Sequence, residues 1–264
     1  MARDPDPDWR PARVIENRPA GRASRWLVLE ATDDEPAAYA PGHVLGLGLM
    51  HEGKRLRHAY TVSRGWPDQR RSAHLYRVIP DGRMTPVLDQ LEPGDPIDFH
   101  GPFHDPIAEE IDDDATSIMG IATGVGIGPL LGYAADALAA GETRPITLLT
   151  GVREAADRCE LDQLEALADE YDHFSYHYSL SQPDEDWSGL KGRVTTTAPG
   201  LIRDAGLDNL HVHLVGNGAM VRLFRKALRE AGMNRQRVTI ETYFNHDQAP
   251  EPEAVEPLVA ALEG

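Results

Sequence analysis

Two stretches of the chain combine residue types that could do chemistry. Residues 58–61 read His-Ala-Tyr-Thr and sit near the end of an apolar, strand-like run. Alternate residues of a strand share a face, which puts His58 with Tyr60 and Ala59 with Thr61. A tyrosine offers a flat ring with a polar tip, and a threonine hydroxyl can donate to a ring nitrogen. In isolation the same pair fills a core. Further along, Gly120-Ile-Ala-Thr-Gly-Val-Gly-Ile-Gly-Pro129 lies where an apolar strand (Ser117–Ala122) gives way to an apolar helix beginning near Ile127. The free N–H groups and dipole of a helix start attract a pyrophosphate.

The glycine spacing, Gly124-x-Gly126-x-Gly128, is not the usual G-x-G-x-x-G. The next strand ends in Gly151-Val152-Arg153, with no acidic residue set for a ribose diol. A standard dinucleotide fingerprint is therefore absent. A second glycine turn, Gly216-Asn217-Gly218, follows the strand His211–Val215. Ligands bind at the carboxyl ends of strands in doubly wound sheets, so two such turns at neighbouring strand ends count for more than one. A third turn, Pro80-Asp81-Gly82-Arg83-Met84-Thr85, opens the only helix expected in the first half. Its N–H groups and the Thr85 hydroxyl are candidates for another pyrophosphate.

The elements that must position these residues change character midway. Ala12–Glu16, Arg25–Glu30, His43–Met50, Leu56–Ser63, Ala73–Ile79 and Pro96–Phe99 are short apolar or alternating runs set off by Gly, Pro and Asp. With the helix Thr85–Leu91 they predict an N-terminal antiparallel β-barrel. Gly101-Pro102 and the acidic Ala108–Asp114 stretch read as a linker. Thereafter strands at 117–122, 146–150, 174–180, 211–215 and 238–244 alternate with helices at 127–140, 161–171, 194–205 and 220–231. That alternation predicts a C-terminal α/β doubly wound parallel sheet. The expected domains are 1–108, 109–245 and a Pro/Glu-rich acidic tail, 246–264, with a short helix at its end.

Composition narrows the function classes. The chain has 264 residues, 43 acidic against 26 basic, and a net charge of −17. Such a surface repels nucleic acid and anionic lipid, and an excess of carboxylates also suits a high-salt cytoplasm. The single cysteine, Cys159, leaves no thiolate zinc site, cysteine-ligated iron–sulfur cluster or internal disulfide, and no metal is expected. No apolar leader or membrane span is legible, and a cytoplasmic location is expected. Against the acidic background, residues 54–83 carry eight basic side chains and two acidic ones, a local balance of +6 around the His-Ala-Tyr-Thr segment.

Taken in order, the motifs resemble the bacterial-type ferredoxin (flavodoxin)–NADP reductase family over about residues 10–245. The family's Arg-x-Tyr-Ser motif is matched by His58-Ala59-Tyr60-Thr61. Its pyrophosphate turn is matched by Gly82-Arg83-Met84-Thr85 and its Ala-Thr-Gly-x-x-x-Gly-Pro turn by Ala122–Pro129. Its Cys-Gly-Asn-Pro segment and acidic-aromatic ending are matched by Val215–Gly218 and Thr239–Phe244. The resemblance implies an FAD-binding barrel and a nucleotide-binding domain. FAD would contact His58, Ala59, Tyr60, Thr61, Tyr76, Arg77, Val78, Gly82, Arg83, Met84 and Thr85. NADP(H), or NADH, would lie across Thr123, Gly124, Val152, Arg153, Ser181, Gln182, Arg193, Gly216 and Asn217. Tyr243 or Phe244 would cover the flavin, with Tyr60, Thr61 and Glu241 as the catalytic residues.

Three departures from the family stand out. His58 replaces an arginine, and Arg57 faces the other way. Val215 replaces a cysteine. Ser181-Gln182 replaces a Ser-Arg pair on the 2′-phosphate. The implied activity moves electrons between NADP(H) and a ferredoxin or flavodoxin through FAD, by hydride transfer at flavin N5 and then single-electron steps. The basic stretch 54–71 would suit an acidic carrier. Two alternatives stay open: a reductase subunit of an oxygenase (or a free-flavin reductase), and a non-catalytic nucleotide-sensing electron-transfer subunit.

Overall fold

The computed structural model describes residues 8–36, 38–245, 249–250 and 252–264. It divides into two compact units, Met1–Ile107 and Ala108–Gly264. Residues 1–7 and, within the expected tail, 246–248 and 251 lie outside the described residues.

The first unit is an antiparallel sheet of β1 (Arg10–Pro19), β2 (Ser24–Ala31), β3 (Val44–His51), β4 (Lys54–Thr61), β5 (Arg64–Gly65), β6 (Arg71–Arg77) and β7 (Pro96–Phe103), with the short helix α1 (Thr85–Asp89). The order is β4-β3-β7-β1-β2-β6-β5. The sheet curls because its two ends meet: Ser63 N–H donates to Ala73 O (2.7 Å), Leu75 N–H donates to Ser63 Oγ (3.2 Å), and His74 Nδ1 lies 3.0 Å from Thr61 O. Closing the sheet this way encloses one apolar core, including Leu27, Leu45, Leu47, Ile97 and Phe99. Alternation along β3 sends its leucines into that core. Gly46 and Gly48 face outward, where His100 and Trp9 cover them.

In the second unit, α2 (Ile107–Glu110) precedes β8 (Ser117–Thr123), α3 (Ile127–Ala139), β9 (Ile146–Val152), α4 (Leu161–Glu170), β10 (Phe174–Leu180) and β11 (Leu190–Lys191). These are followed by α5 (Val194–Ala205), β12 (Leu210–Asn217), α6 (Gly218–Glu230), β13 (Val238–Phe244) and α7 (Pro252–Glu263). The sheet is parallel throughout, in the order β11-β10-β9-β8-β12-β13. Its central strands are buried on both faces and read as near-continuous apolar runs, as a parallel sheet covered by helices requires.

Two stretches expected to stand apart contribute to this unit. From the acidic 108–114 stretch, Asp112 pairs with Arg237 (2.9 Å) and its N–H donates to His211 Nδ1 (3.1 Å). Helix α7, within the span expected as a tail, buries Val255, Leu258 and Leu262 in the core formed by α5 and α6. Among the described residues no helix is long and apolar enough to cross a membrane.

Candidate functional sites on the two units

On the first unit, His58-Ala59-Tyr60-Thr61 occupies the last turn-proximal half of β4. Register pairs His58 with Leu47 and Tyr60 with Leu45, both core-facing, so the two rings share a face and lie 5.6 Å apart. Arg57 pairs with Gly48 on the outer side, so it does not share the face of His58. The Tyr60 ring makes an edge contact with Tyr76 at 6.1 Å, and burial raises its phenol above the ordinary tyrosine value. The Tyr76 phenol, pushed up to about 12 chiefly by burial, donates to Asn17 Oδ1 (3.3 Å).

Asn17 is a tie that no motif marked. Its amide donates to Leu88 O (2.8 Å) and Leu91 O (2.9 Å) at the end of α1, while Arg25 donates to its backbone carbonyl (2.9 Å) and pairs with Asp89 (3.1 Å). One side chain thus fixes α1, and the turn that opens it, to Tyr76. In that turn Thr85 Oγ1 accepts from Ile79 N–H (2.9 Å) and Gly82 N–H donates to Ile79 O (2.8 Å). The hydroxyl expected on a phosphate therefore closes the loop itself. His58, Ala59, Arg77 and Arg83 are exposed, Val78 and Gly82 half-buried and Met84 buried. His74, which the motifs also left unmarked, is fully buried between Ser72 Oγ (3.1 Å) and Thr61 O (3.0 Å), and burial lowers its imidazole to about 4. It holds the backbone of Thr61 from the interior.

Several cations of the 54–71 stretch serve the unit's own packing. Arg55 pairs with Asp98 and lies over Trp9 (4.8 Å). Arg70 donates to the carbonyls of Ala31 and Asp33, and Arg71 pairs with Asp68 (2.7 Å). Arg64 and Arg71 flank Trp66. Lys54, Arg57 and Arg64 are exposed.

On the second unit, the sequence order of the strands reverses between β8 and β12, the crevice position at which doubly wound sheets bind ligands. The two glycine turns meet there. Asn217 N–H donates to Thr123 Oγ1 (2.9 Å), and Asn217 Oδ1 accepts from Ala219 N–H (2.9 Å), capping α6. Gly216 has φ +122°, and a Cβ on it would lie 2.4 Å from Thr123 Oγ1. Gly124 has φ +57° and open space where its Cβ would be, at the start of a single tight turn leading into α3. Open space, turned-out backbone and two helix starts together fit a dinucleotide phosphate.

The remaining nucleotide candidates border the carboxyl ends of β9 and β10. Arg153 Nε donates to Gln182 Oε1 (2.9 Å), while Gln182 N–H donates to Arg153 O (2.8 Å) and Ser181 N–H to Val152 O (3.0 Å). Arg153, Ser181, Gln182 and Arg193 are exposed, Arg193 preceding α5 directly; Val152 is buried. Glu241 pairs in register with Val215 on β13, and a bulge beyond Gly216 sets Phe244 opposite Asn217. Tyr243 is half-buried, whereas Phe244 is 52% exposed at the strand's end.

Comparison with known proteins matches the geometry of each unit. Residues 12–105 match an oxidoreductase FAD-binding domain family, and residues 121–226 an oxidoreductase NAD-binding domain family. The chain is 30% identical over 237 residues to ferredoxin–NADP reductase B of Sorangium cellulosum, covering 88% of this chain and 96% of that protein. It is 30% identical over 245 residues to the reductase subunit of an Amycolatopsis aromatic O-demethylase, covering 88% of this chain and 68% of the relative. Among solved structures, an Amycolatopsis cytochrome P450 reductase, GcoB, superimposes with TM-score 0.76 at 27% identity, over 92% of this chain and 74% of that one. A ferredoxin–NADP reductase of Neisseria gonorrhoeae with bound FAD and NADP shares the fold, with TM-score 0.77 at 18% identity over 90% of this chain and all of the other.

Proposed function

Because the chain belongs to the ferredoxin–NADP reductase family of FAD- and NAD(P)-binding oxidoreductases, we propose that it moves electrons between NADP(H) and a small one-electron carrier of the ferredoxin or flavodoxin kind. Bound FAD supplies the exchange between two-electron nicotinamide chemistry and one-electron carriers. The protein's part is to bind and orient.

The observation that carries the reading is the joining of the two glycine turns through Thr123 and Asn217 at the sheet's switch point, in a chain that spans nearly the whole length of a ferredoxin–NADP reductase relative. Tyr60, held against Tyr76, offers the ring face for the flavin, and Thr61, with its backbone pinned by His74, offers a hydroxyl to the flavin's edge. Gly124 and the starts of α3 and α6 receive the nucleotide's phosphates. Tyr243 or Phe244 covers the flavin, and Glu241 contacts the nicotinamide. The exposed Lys54, Arg57 and Arg64 suit an acidic carrier.

Anaerobic mixing of the purified flavoprotein with NADPH and with NADH is the test. Rapid bleaching of the flavin band is expected with at least one of them. A spectrum unchanged by both would leave only the nucleotide-sensing alternative.

A second reading, a reductase subunit serving an oxygenase, draws on the 30% identity to the demethylase reductase. With Cys159 as its only cysteine, this chain would pass electrons directly from flavin to a separate acceptor. Comparing turnover with ferredoxin, flavodoxin and an oxygenase component separates the two.

Nucleotide preference rests on Arg153. Gln182 orients its guanidinium, a fork suited to a 2′-phosphate. Arg153→Gln is expected to raise KM for NADPH about tenfold, with little change for NADH. Equal losses with the two nucleotides would remove Arg153 from the 2′-phosphate.

A further inference from the structure

The strand that carries Tyr60 and Thr61 changes partners just beyond Thr61. Up to that residue β4 pairs with β3, and Val62 N–H still donates to His43 O (2.7 Å). Ser63 N–H donates instead to Ala73 O (2.7 Å) on β6. β4 and β6 are not neighbours in the sheet order, and side chains bridge the changeover. Leu75 N–H donates to Ser63 Oγ (3.2 Å), while His74 reaches both Thr61 O (3.0 Å) and Ser72 Oγ (3.1 Å).

Ser63, Ser72 and His74 are all buried. An apolar side chain would fill that volume at lower cost, because each buried polar group must find a partner. The hydrogen-bond pattern shows what the imidazole adds. Burial keeps the ring neutral, and a carbonyl can only accept. The ring proton is therefore on Nδ1, directed at Thr61 O, and the bare Nε2 accepts from the Ser72 hydroxyl. Thr61 is thus held one imidazole's length from β6, by a ring that Ser72 keeps from turning.

We propose that His74 is a positioning residue for the flavin reaction: held by Ser72, it sets through the Thr61 carbonyl where the Thr61 hydroxyl meets the flavin's edge. The inference rests on the flavin contact proposed for Thr61. A misplacement of about 1 Å at a reacting centre can slow the chemistry by up to about a hundredfold. An interior tie that touches neither flavin nor nucleotide therefore acts on the rate.

His74→Asn and His74→Gln separate this role from core filling. Asparagine sets an amide donor where Nδ1 stands and gives up Ser72, whereas glutamine reaches Ser72 and gives up Thr61. The FAD-loaded variants are mixed anaerobically with NADPH and with NADH, and their flavin midpoint potentials are measured by dithionite titration. At saturating nucleotide, bleaching should slow about tenfold in His74→Gln and stay within about threefold of the parent in His74→Asn. The nucleotide concentration giving half the maximal rate should not change. The midpoint potential should be displaced in His74→Gln and near the parent's in His74→Asn. In a Thr61→Ala background, His74→Gln should cost nothing further. Nitrogen NMR of the labelled parent, assigned by the signal lost in His74→Gln, should show His74 protonated on Nδ1.

If His74→Gln fails to fold, Ser72→Ala, which frees the ring to turn, replaces it and should slow bleaching by a smaller factor. Rates and potentials in which asparagine does no better than glutamine overturn the proposal. So do additive losses with Thr61→Ala, or a ring protonated on Nε2. A parent flavin that neither nucleotide bleaches defeats the proposed hydride transfer instead, and the potentials and the ring's protonation then decide for or against His74.

Discussion

Lowering the pH from 7 to about 4.5 is expected to remove several kcal/mol of folding stability before the carboxylates contribute to the loss. His74 in the first unit and His211 and His213 in the second are buried, and burial lowers their imidazoles from an ordinary 6.5 to about 4, 4 and 3. Each native imidazole stays neutral while its unfolded counterpart takes up a proton below pH 6.5. The unfolded state therefore binds more protons, and stability falls as the pH drops from 6.5 toward 4. A shift of this size corresponds to about 3 kcal/mol per histidine, a large fraction of a domain's total of roughly 5–15 kcal/mol.

Carboxylates act in a lower window. Glu142, held at about 2 mainly by its hydrogen bond from Arg144, contributes stability above its ordinary 4.5 that is lost only as the pH falls from there to 2. The second unit carries two of the three histidines, bridged through Thr239 Oγ1 at 2.9 and 2.7 Å, and is expected to unfold first. Trp187 is the one tryptophan in that unit, so fluorescence of a variant retaining only Trp187 reports it alone. Urea midpoints that stay level between pH 7 and 4.5 would contradict this account.

Gly216→Ala is expected to weaken nucleotide binding by tenfold or more while leaving the flavin spectrum intact. A side chain at φ +122° is strained by about 1–3 kcal/mol, and the new Cβ would sit 2.4 Å from Thr123 Oγ1. Thr123 must then move, leaving Asn217 N–H without its acceptor at a further cost of about 1–3 kcal/mol. Because that bond joins the two glycine turns, its loss changes the shape of the proposed nucleotide site as well as its stability. Equilibrium dialysis against NADP+ and urea unfolding of the variant check both effects. Thr123→Ser keeps the acceptor oxygen and should bind nearly as the parent does. Wild-type affinity and midpoint in Gly216→Ala would show that the contact is relieved elsewhere.

Much of the architecture was legible because each unit has a single periodicity. Strands of period two, punctuated by glycine and proline, specify the curled antiparallel sheet. Buried apolar runs alternating with helices specify the parallel one. In α7 the Glu and Pro content conceals Val255, Leu258 and Leu262, whose helical spacing matters only against the apolar faces of α5 and α6. The two-residue strands β5 and β11 carry too few residues to show any period.

By itself, the sequence determined the order of the motifs, the strand-to-helix positions of the glycine turns and the shared face of His58 and Tyr60, since these follow from local backbone geometry. The tertiary structure alone decided which distant groups hold them. Asn17 joins α1 to Tyr76, His74 reaches the carbonyl of Thr61 across the sheet's closure, and Thr123 binds Asn217 across 94 residues of chain. Such ties satisfy buried polar groups, and any polar residue brought within reach can do so. Their partners are therefore set by how the chain closes on itself, and no local spacing records them.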